Sequence, residues 1–179
     1  MRIGIDVSQL AYLNTGVANY LFHWIHALLD EDKNNSYIFF GSSLRNRDFL
    51  RKAFDLSKHQ KKFRYKFFPF PPSFLELLWN KLHVLPIEML IGDVDIFITS
   101  DWTEPPTKKA KKATILYDLI VYKYPKETAG KIVAVQKRKL AWVKKESSVI
   151  FCISEATKKD AIEILGIEES RLQVIGPGI

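Results

Sequence analysis

The 179-residue chain contains a single cysteine, Cys152, and this scarcity excludes two classes of protein. One thiol cannot form an internal disulfide bond or a cysteine-based zinc site, and it is compatible with a reducing compartment. No uninterrupted apolar run reaches about 18 residues, so a membrane-spanning helix is not expected. The N-terminus has Asp6 where a signal peptide needs an apolar run, and we therefore expect a cytoplasmic protein without a secretory signal.

The chain also lacks the two common glycine-rich phosphate-binding patterns, GxGxxG and the P-loop with its lysine. What remains is Gly16, between the first strand-like segment and the first helical pattern. A glycine there lets backbone N–H groups approach an anion at a helix N-terminus. It is equally compatible with a turn glycine of positive φ, and the sequence does not decide between the two.

The composition is that of one ordinary globular domain, with 47% apolar and 26% charged residues. Lysine and arginine number 27 against 20 acidic residues, which gives a net charge of +7. This excess attracts polyanions, anionic lipid surfaces or phosphorylated substrates. No nucleic-acid-binding motif accompanies it, and the aromatic residues are distributed as core residues, so no nucleic-acid partner is expected.

Hydrophobic periodicity predicts strands that alternate with helices. The predicted strands are residues 2–7, 36–41, 63–68, 95–99, 113–117, 148–153 and 171–175. Helices are predicted from residue 17 to 28, from a Ser73–Glu76 capping box to Pro86, over 127–145, and over 155–165 between a Ser154 cap and Gly166. Residues 42–62 are predicted to be a solvated helix and loop. The pattern indicates an α/β fold, with a Rossmann-like, doubly wound, mostly parallel sheet of about seven strands.

In such sheets the ligand lies beyond the carboxyl ends of the strands, which selects the loops at residues 8–16, 100–106, 117–125 and 154–157. Asp101 and Trp102 in the second loop suit a carbohydrate, because a sugar offers hydroxyl groups and a C–H face. The alternative is that Trp102 packs onto the domain. Asp118 could bind hydroxyl groups or act as a base, or it could cap a turn.

The basic residues of the second half are expected to form solvated faces, with contact to an anionic membrane as the second interpretation. They are Lys131, Arg138 and Lys145, spaced seven apart, and the cluster of Lys108, Lys109, Lys111 and Lys112. His23 and His26 lie three apart on the first predicted helix, without a third ligand at a suitable spacing. No metal site is therefore predicted.

Five segments, in order, resemble the N-terminal domain of GT-B glycosyltransferases of the large retaining family 4 (group 1) type. They are MRIGIDVSQL with TGVANY, SFLELLWNKLHVLP, DIFITSDWTEPP, ILYDLIVYKYP and ISEATKKDAIEILGIEESRLQVIGPGI. The resemblance implies two Rossmann-like domains around a cleft. The N-terminal domain binds the acceptor and the C-terminal domain binds the nucleotide-sugar donor. On this interpretation residues 1–179 are the acceptor-side domain, and the donor domain is not included.

The resemblance further implies transfer of a sugar to a glycan or lipid-linked acceptor, without metal or other cofactor, because a helix dipole and basic groups stabilise the departing diphosphate. Some members sit on anionic membranes, so a peripheral position on the inner face of a membrane is a further expectation. The alternative is a stand-alone, non-enzymatic module that binds a glycan or an anionic lipid.

Matching the motifs residue by residue assigns roles by resemblance alone. The catalytic positions are Asp118 and Tyr117, the donor-binding positions are Gly16 and Val17, and the acceptor-binding positions are Asp101, Trp102, Ser154 and Glu155. The chain departs from the family pattern at two places. Ala18 and Asn19 stand where the family has a second glycine and an arginine, and Tyr117 stands where it has a histidine.

Overall fold

The computed structural model describes residues 1–12, 14–44 and 63–177. They form one sheet of seven strands, all parallel, in the order β3-β2-β1-β4-β5-β6-β7. The strands are β1 Arg2–Asp6, β2 Ser36–Ser42, β3 Phe63–Phe68, β4 Ile96–Thr99, β5 Lys111–Leu116, β6 Ser147–Cys152 and β7 Leu172–Val174. The predicted fold class is confirmed, since the strands alternate with helices in a Rossmann-like, doubly wound arrangement.

Six helical segments accompany the sheet in the described ranges. They are α1 Gly16–Glu31, α2 Pro72–Leu75, α3 Glu88–Ile91, α4 Ile120–Lys123, α5 Gly130–Glu146 and α6 Glu155–Leu165, with 3-10 turns at Ser8–Tyr12 and Glu169–Arg171. Helix α2 continues without a break as a π-helical segment, Glu76–Lys81. A helix and loop were predicted for residues 42–62, and the part from residue 45 onward lies outside the described residues. None of the helices in the described ranges has the length and apolar character needed to span a bilayer.

The sheet is covered on both faces, and alternate residues of each strand enter different cores. Helix α1 packs Leu21 and Ile25 against one face, in the cluster that holds Ile5 of β1. On the opposite face, Trp79 of the π-helical segment packs in the cluster that holds Phe97 of β4. Burial on both faces explains why the central strands are nearly continuous apolar runs.

The Ser73–Glu76 capping box is not formed. Helix α2 begins at Pro72, its N-cap is Pro71, and no side chain caps it. Proline is well suited to the first helical position because its φ is preset and its missing N–H needs no partner. Ser73 therefore lies inside the first turn. The Glu76 carboxylate instead accepts hydrogen bonds from Arg138 at 2.6 and 2.8 Å.

Helix α6 begins and ends as predicted. The Ser154 hydroxyl accepts a hydrogen bond from the Thr157 N–H at 3.1 Å, which satisfies a donor left free at the helix start. Gly166 closes the helix with a left-handed backbone, φ 62. A glycine adopts this conformation without the steric penalty of a Cβ, which is why it is common at this position.

Candidate functional site

A cleft of about 540 Å³ lies where the strand order reverses, between β1 and β4. Successive connections leave a doubly wound sheet in opposite directions at this point, and the crevice they open is the usual ligand site of the fold. Polar side chains from several elements line the cleft: Asp6, Ser8, Gln9, Thr15, Ser42, Ser73, Glu76, Asp101, Thr103 and Lys131. The larger apolar and aromatic lining residues are Tyr12, Val17, Pro72, Leu75, Trp102, Ile132 and Val135.

Two of the four predicted loops reach this cleft. The loop after β1 contributes Ser8 and Gln9, and the loop after β4 contributes Asp101, Trp102 and Thr103. The loops at residues 117–125 and 154–157 do not line it. Asp6 at the end of β1 and Val17 at the start of α1 also line it, and of these two only Val17 was a predicted site residue. Further lining side chains come from Ser42 at the end of β2, from α2 and the adjoining Glu76, and from the first half of α5, none of which the sequence assigned to a site.

Asp6 lies at the end of β1 and lines the cleft, although its side chain is only 4% exposed. The Ser8 N–H donates a hydrogen bond to its Oδ1 at 2.9 Å. Burial raises the pKa of Asp6 to about 6, because the charged carboxylate loses its hydration, while the hydrogen bonds from Ser8 and the charge of Lys139 act in the opposite direction. Sequence reasoning did not assign Asp6 to the site; the available signal was a carboxyl group in a strand that is otherwise apolar.

Asp101 and Trp102 both line the cleft, as the loop rule predicts. The Asp101 carboxylate accepts a hydrogen bond from Gln136 Nε2 at 3.0 Å, and burial raises its pKa. The Trp102 carbonyl accepts from Asn80 Nδ2 at 2.9 Å, which ties the loop to the π-helical segment. The Trp102 side chain is half-buried and forms part of the cleft surface.

Tyr117 and Asp118, the predicted catalytic positions, lie at the same edge of the sheet but do not line the cleft. The Tyr117 ring is 8% exposed and meets the Tyr20 ring edge-on, with centroids 5.7 Å apart. Its hydroxyl has no hydrogen-bond partner among the described residues, and burial raises its pKa. Asp118 is exposed and accepts from the Ile120 N–H at 3.0 Å, the turn-capping role that the sequence left open. Its charge also contributes to raising the pKa of Asp101.

Gly16 and Val17, the predicted donor positions, form the start of α1. Gly16 is exposed, and a Cβ built on it would meet nothing within 4 Å. Its φ is not positive, so the turn-glycine alternative is wrong. The Thr15 hydroxyl caps the helix by accepting from the Ala18 N–H at 3.2 Å. Val17 lines the cleft, and the first turn carries no acidic side chain, so the partial positive charge of this helix end is not neutralised locally.

Ser154 and Glu155, two of the predicted acceptor positions, lie away from the cleft at the start of α6. Ser154 serves as the helix cap, and Glu155 is exposed in the first turn. The Thr157 hydroxyl donates to the Tyr117 carbonyl at 3.1 Å. This loop therefore supports the backbone beside Tyr117.

A buried lysine lies near the cleft floor. Lys139 on α5 is 2% exposed and donates hydrogen bonds to the Ser100 carbonyl at 2.7 Å and to the Thr114 hydroxyl at 3.0 Å. Burial lowers its pKa, while the nearby carboxylates, including Asp101 and Asp6, act in the opposite direction. Its positive charge offsets part of the negative charge gathered at this edge of the sheet.

Lys112 corrects the expectation that its cluster is a solvated face. Its side chain is 3% exposed, and its Nζ lies 3.0 Å from Glu104 Oε1 and 2.8 Å from Glu146 Oε2. Glu104 is fully buried and also accepts from the Thr99 hydroxyl at 2.6 Å. Successive residues of a strand point to opposite faces, and at the start of β5 Lys111 is exposed whereas Lys112, on the other face, is buried.

The three basic residues spaced seven apart on α5 do not form one solvated face either. Lys131 lines the cleft, and Arg138 is paired with Glu76 at 2.6 Å. The Lys145 Nζ lies 4.8 Å from the ring centroid of Trp142, a cation–π contact. The stripe is therefore divided among the cleft, an ion pair and an aromatic contact.

Across residues 1–12, 14–44 and 63–177, no group of three or more His, Cys, Asp or Glu side chains is arranged to hold a metal ion. His23 is exposed, and the His26 ring lies 4.3 Å from that of Phe22. In comparisons with known proteins, no family model, no curated protein and no solved structure matches this chain. The glycosyltransferase resemblance accordingly rests on the five sequence segments.

Proposed function

We propose that this chain is the acceptor-side domain of a glycosyltransferase that transfers a sugar from a nucleotide-sugar donor to a glycan or lipid-linked acceptor. The observation that carries the proposal is the cleft at the switch point, which places Asp6, Asp101 and Trp102 around one volume of about 540 Å³. This volume is within the range of small-molecule sites and is large enough for one or two sugar rings.

The chemistry of the lining suits a neutral saccharide. Carboxylates accept hydrogen bonds from sugar hydroxyl groups, and these bonds are stronger than neutral ones because the acceptor is charged. The Trp102 indole offers an apolar surface for the C–H face of a ring. Asp6, buried at the end of β1, is the carboxylate best placed to hold one acceptor hydroxyl in a fixed position.

The same carboxylates disfavour an anionic group on the cleft floor, because two like charges in a poorly solvated site repel each other strongly. In the proposed enzyme the donor diphosphate lies instead at the rim, where the start of α1 at Gly16 and Val17 provides backbone N–H groups and a partial positive charge. Lys131, exposed at the rim, adds a full positive charge there. Asp118 and Tyr117, which the resemblance assigns to catalysis, lie at the same edge of the sheet but outside the cleft, and the proposal gives them no contact with the saccharide held there.

Saccharide binding is tested first. Saturation-transfer NMR with neutral mono- and oligosaccharides should detect binding, and Trp102→Ala should weaken it roughly tenfold, the loss of one aromatic contact. Tyr124→Ala is the matched control, since Tyr124 is 51% exposed and lies outside the cleft. Binding that Trp102→Ala leaves unchanged would contradict the proposed site.

Transfer is tested separately, in the longest chain that the gene encodes. Release of nucleoside diphosphate from a panel of nucleotide-sugars should depend on the saccharide that binds in the cleft. Saccharide binding without any such release would favour the alternative, a non-enzymatic glycan-binding module. A module specific for anionic lipid headgroups predicts competition by inorganic phosphate in the cleft, which the carboxylates at Asp6 and Asp101 argue against.

A further inference from the structure

Beside the cleft, residues 68–74 carry three phenylalanines and three prolines, in the order FPFPPSF. We name the three rings, Phe68, Phe70 and Phe74, the aromatic strip. Neighbouring rings of the strip contact each other, with centroids 5.5 Å apart for Phe68 and Phe70 and 5.4 Å apart for Phe70 and Phe74. Phe74, at the outer end, is 40% exposed. The strip is therefore a row of flat apolar rings that ends in the solvent.

The aromatic strip is anchored in the core and has little freedom to move. The Phe68 ring packs on the fully buried Phe40 ring, with centroids 5.7 Å apart. Three prolines among residues 69–72 fix their own φ angles. The Phe70 carbonyl accepts a hydrogen bond from the Ser42 hydroxyl at 2.8 Å. Because the rings are already in place, a ligand that covers them loses little binding free energy to ordering of the protein.

The aromatic strip continues the wall of the cleft. Ser42, which donates to the Phe70 carbonyl, is a lining residue. Ser73 and Leu75, on either side of Phe74 in the chain, also line the cleft. The cleft volume of about 540 Å³ holds one or two sugar rings. A longer saccharide must extend out of the cleft, and at the rim formed by α2 it meets the strip.

The polar groups beside the rings indicate what kind of ligand fits. Proline has no N–H, so residues 69–72 have four carbonyl acceptors and one backbone donor, the Phe70 N–H. Residues 67–75 contain no charged side chain. A phosphate group, which is anionic and accepts hydrogen bonds, meets neither a cation nor a set of donors in this segment. A neutral sugar can donate from its hydroxyl groups and place its C–H face on an aromatic ring.

We propose that the aromatic strip is a second saccharide subsite and that the acceptor is a neutral oligosaccharide. This inference rests on the proposed function, because it extends the saccharide that the cleft binds. The terminal sugar lies in the cleft with Asp101 and Trp102, and the sugars that follow it lie on Phe70 and Phe74. Such an acceptor already contains glycosidic bonds, so a separate glycosyl-transfer reaction must supply it. The proposed enzyme therefore extends an existing glycan.

The dependence of affinity on saccharide length tests the proposal in the 179-residue chain. The probes are neutral malto-, cello- and chito-oligosaccharides of one, two and six sugar units, titrated by calorimetry. In the series that binds, the hexasaccharide should bind roughly tenfold more tightly than the disaccharide, because it makes a further aromatic contact. Equal affinities would overturn the second subsite and leave the proposed function standing. Failure of every series to bind would overturn both.

Matched variants locate the contact. Phe74→Ala should weaken hexasaccharide binding roughly tenfold and disaccharide binding less than about twofold, whereas Trp102→Ala should weaken both. Tyr65→Ala is the control and should weaken neither. Tyr65 is 44% exposed on β3, on the face of the sheet opposite that of Phe68. If Phe74→Ala weakens both saccharides equally, Phe74 acts by shaping the cleft and the proposal is wrong.

Fluorine NMR of protein that carries fluorophenylalanine observes the contact directly. The hexasaccharide should shift the signal that is missing from the Phe74→Leu variant, and the disaccharide should not. Farnesol, a neutral isoprenoid alcohol, serves as a probe for a lipid chain. A shift of the Phe74 signal by farnesol and not by the hexasaccharide would show that the strip binds a lipid chain, and this would overturn the proposal.

Discussion

The wild-type protein should lose stability as the pH rises from about 4 to 6, because the buried Asp6 side chain becomes charged. Replacement of Asp6 by Asn should abolish this loss. Burial raises the pKa of this carboxyl from 3.8 to about 6. When the pKa of a group is higher in the folded than in the unfolded protein, its contribution to stability is complete below the unfolded value. That contribution is lost as the pH rises through the folded value. Wild-type protein should therefore lose stability across this pH range, and the Asn variant should not show this loss.

The size of the effect follows from the shift. The pKa rises by about two units, and each unit corresponds to about 1.4 kcal/mol, so the full effect is on the order of 3 kcal/mol. The Asn side chain keeps a carbonyl oxygen that can accept the Ser8 N–H now bound at 2.9 Å. The local turn should survive the substitution, and the comparison should isolate the ionisation of Asp6.

The measurement is urea unfolding, followed by tryptophan fluorescence at a series of pH values in both proteins. The free energy of unfolding of the Asn variant, minus that of the wild type, should grow by about 2 kcal/mol between pH 4 and pH 7, most of the full effect. Asp118→Asn removes an exposed carboxylate from the same edge and should change the free energy by less than about 0.5 kcal/mol. If the free energies of unfolding of the two proteins change with pH in parallel, Asp6 is not a carboxylate that burial destabilises, and the reasoning is refuted.

Two further substitutions test the buried ion network and the glycine conformations. Lys112→Met leaves Glu104 buried without its cation and should lower the free energy of unfolding, measured in urea, by about 3–5 kcal/mol. The control is Lys111→Met, on the exposed face of β5, which should lower it by less than about 0.5 kcal/mol. Gly166→Ala forces a Cβ into a left-handed backbone and should lower the melting temperature by several degrees, a loss of about 1 kcal/mol. Gly16→Ala, in open space, should have no such effect.

The features predicted well from the sequence depend on neighbours in the chain. Strand alternation, the Ser154 cap and Gly166 are local patterns, and the structure confirms all of them. The capping box is wrong for a local reason that the sequence also contained. Pro72 has no N–H and starts the helix itself, so Ser73 does not reach the cap position.

The features missed depend on partners far apart in the chain. Lys112 was expected to lie in a solvated cluster, and Lys139 was not singled out, yet each is buried and pairs with groups contributed by other elements. The residues that line the cleft also fall into a group that the sequence predicts and a group that it does not. The fold rule selected Asp101 and Trp102, since both follow a strand, but Glu76 reaches the cleft only because the packing of the π-helical segment brings it there. Such packing is set by tertiary contacts that no local pattern records.

The parallel sheet also explains why a chain of net charge +7 holds a carboxylate-lined cleft. All the strands point the same way, so the loops after them gather at one edge and the loops before them gather at the other. Asp6 and Asp101 follow strands, whereas Lys109 and Lys145 precede them. The sheet thus separates the acidic ligand-facing groups from much of the basic surface.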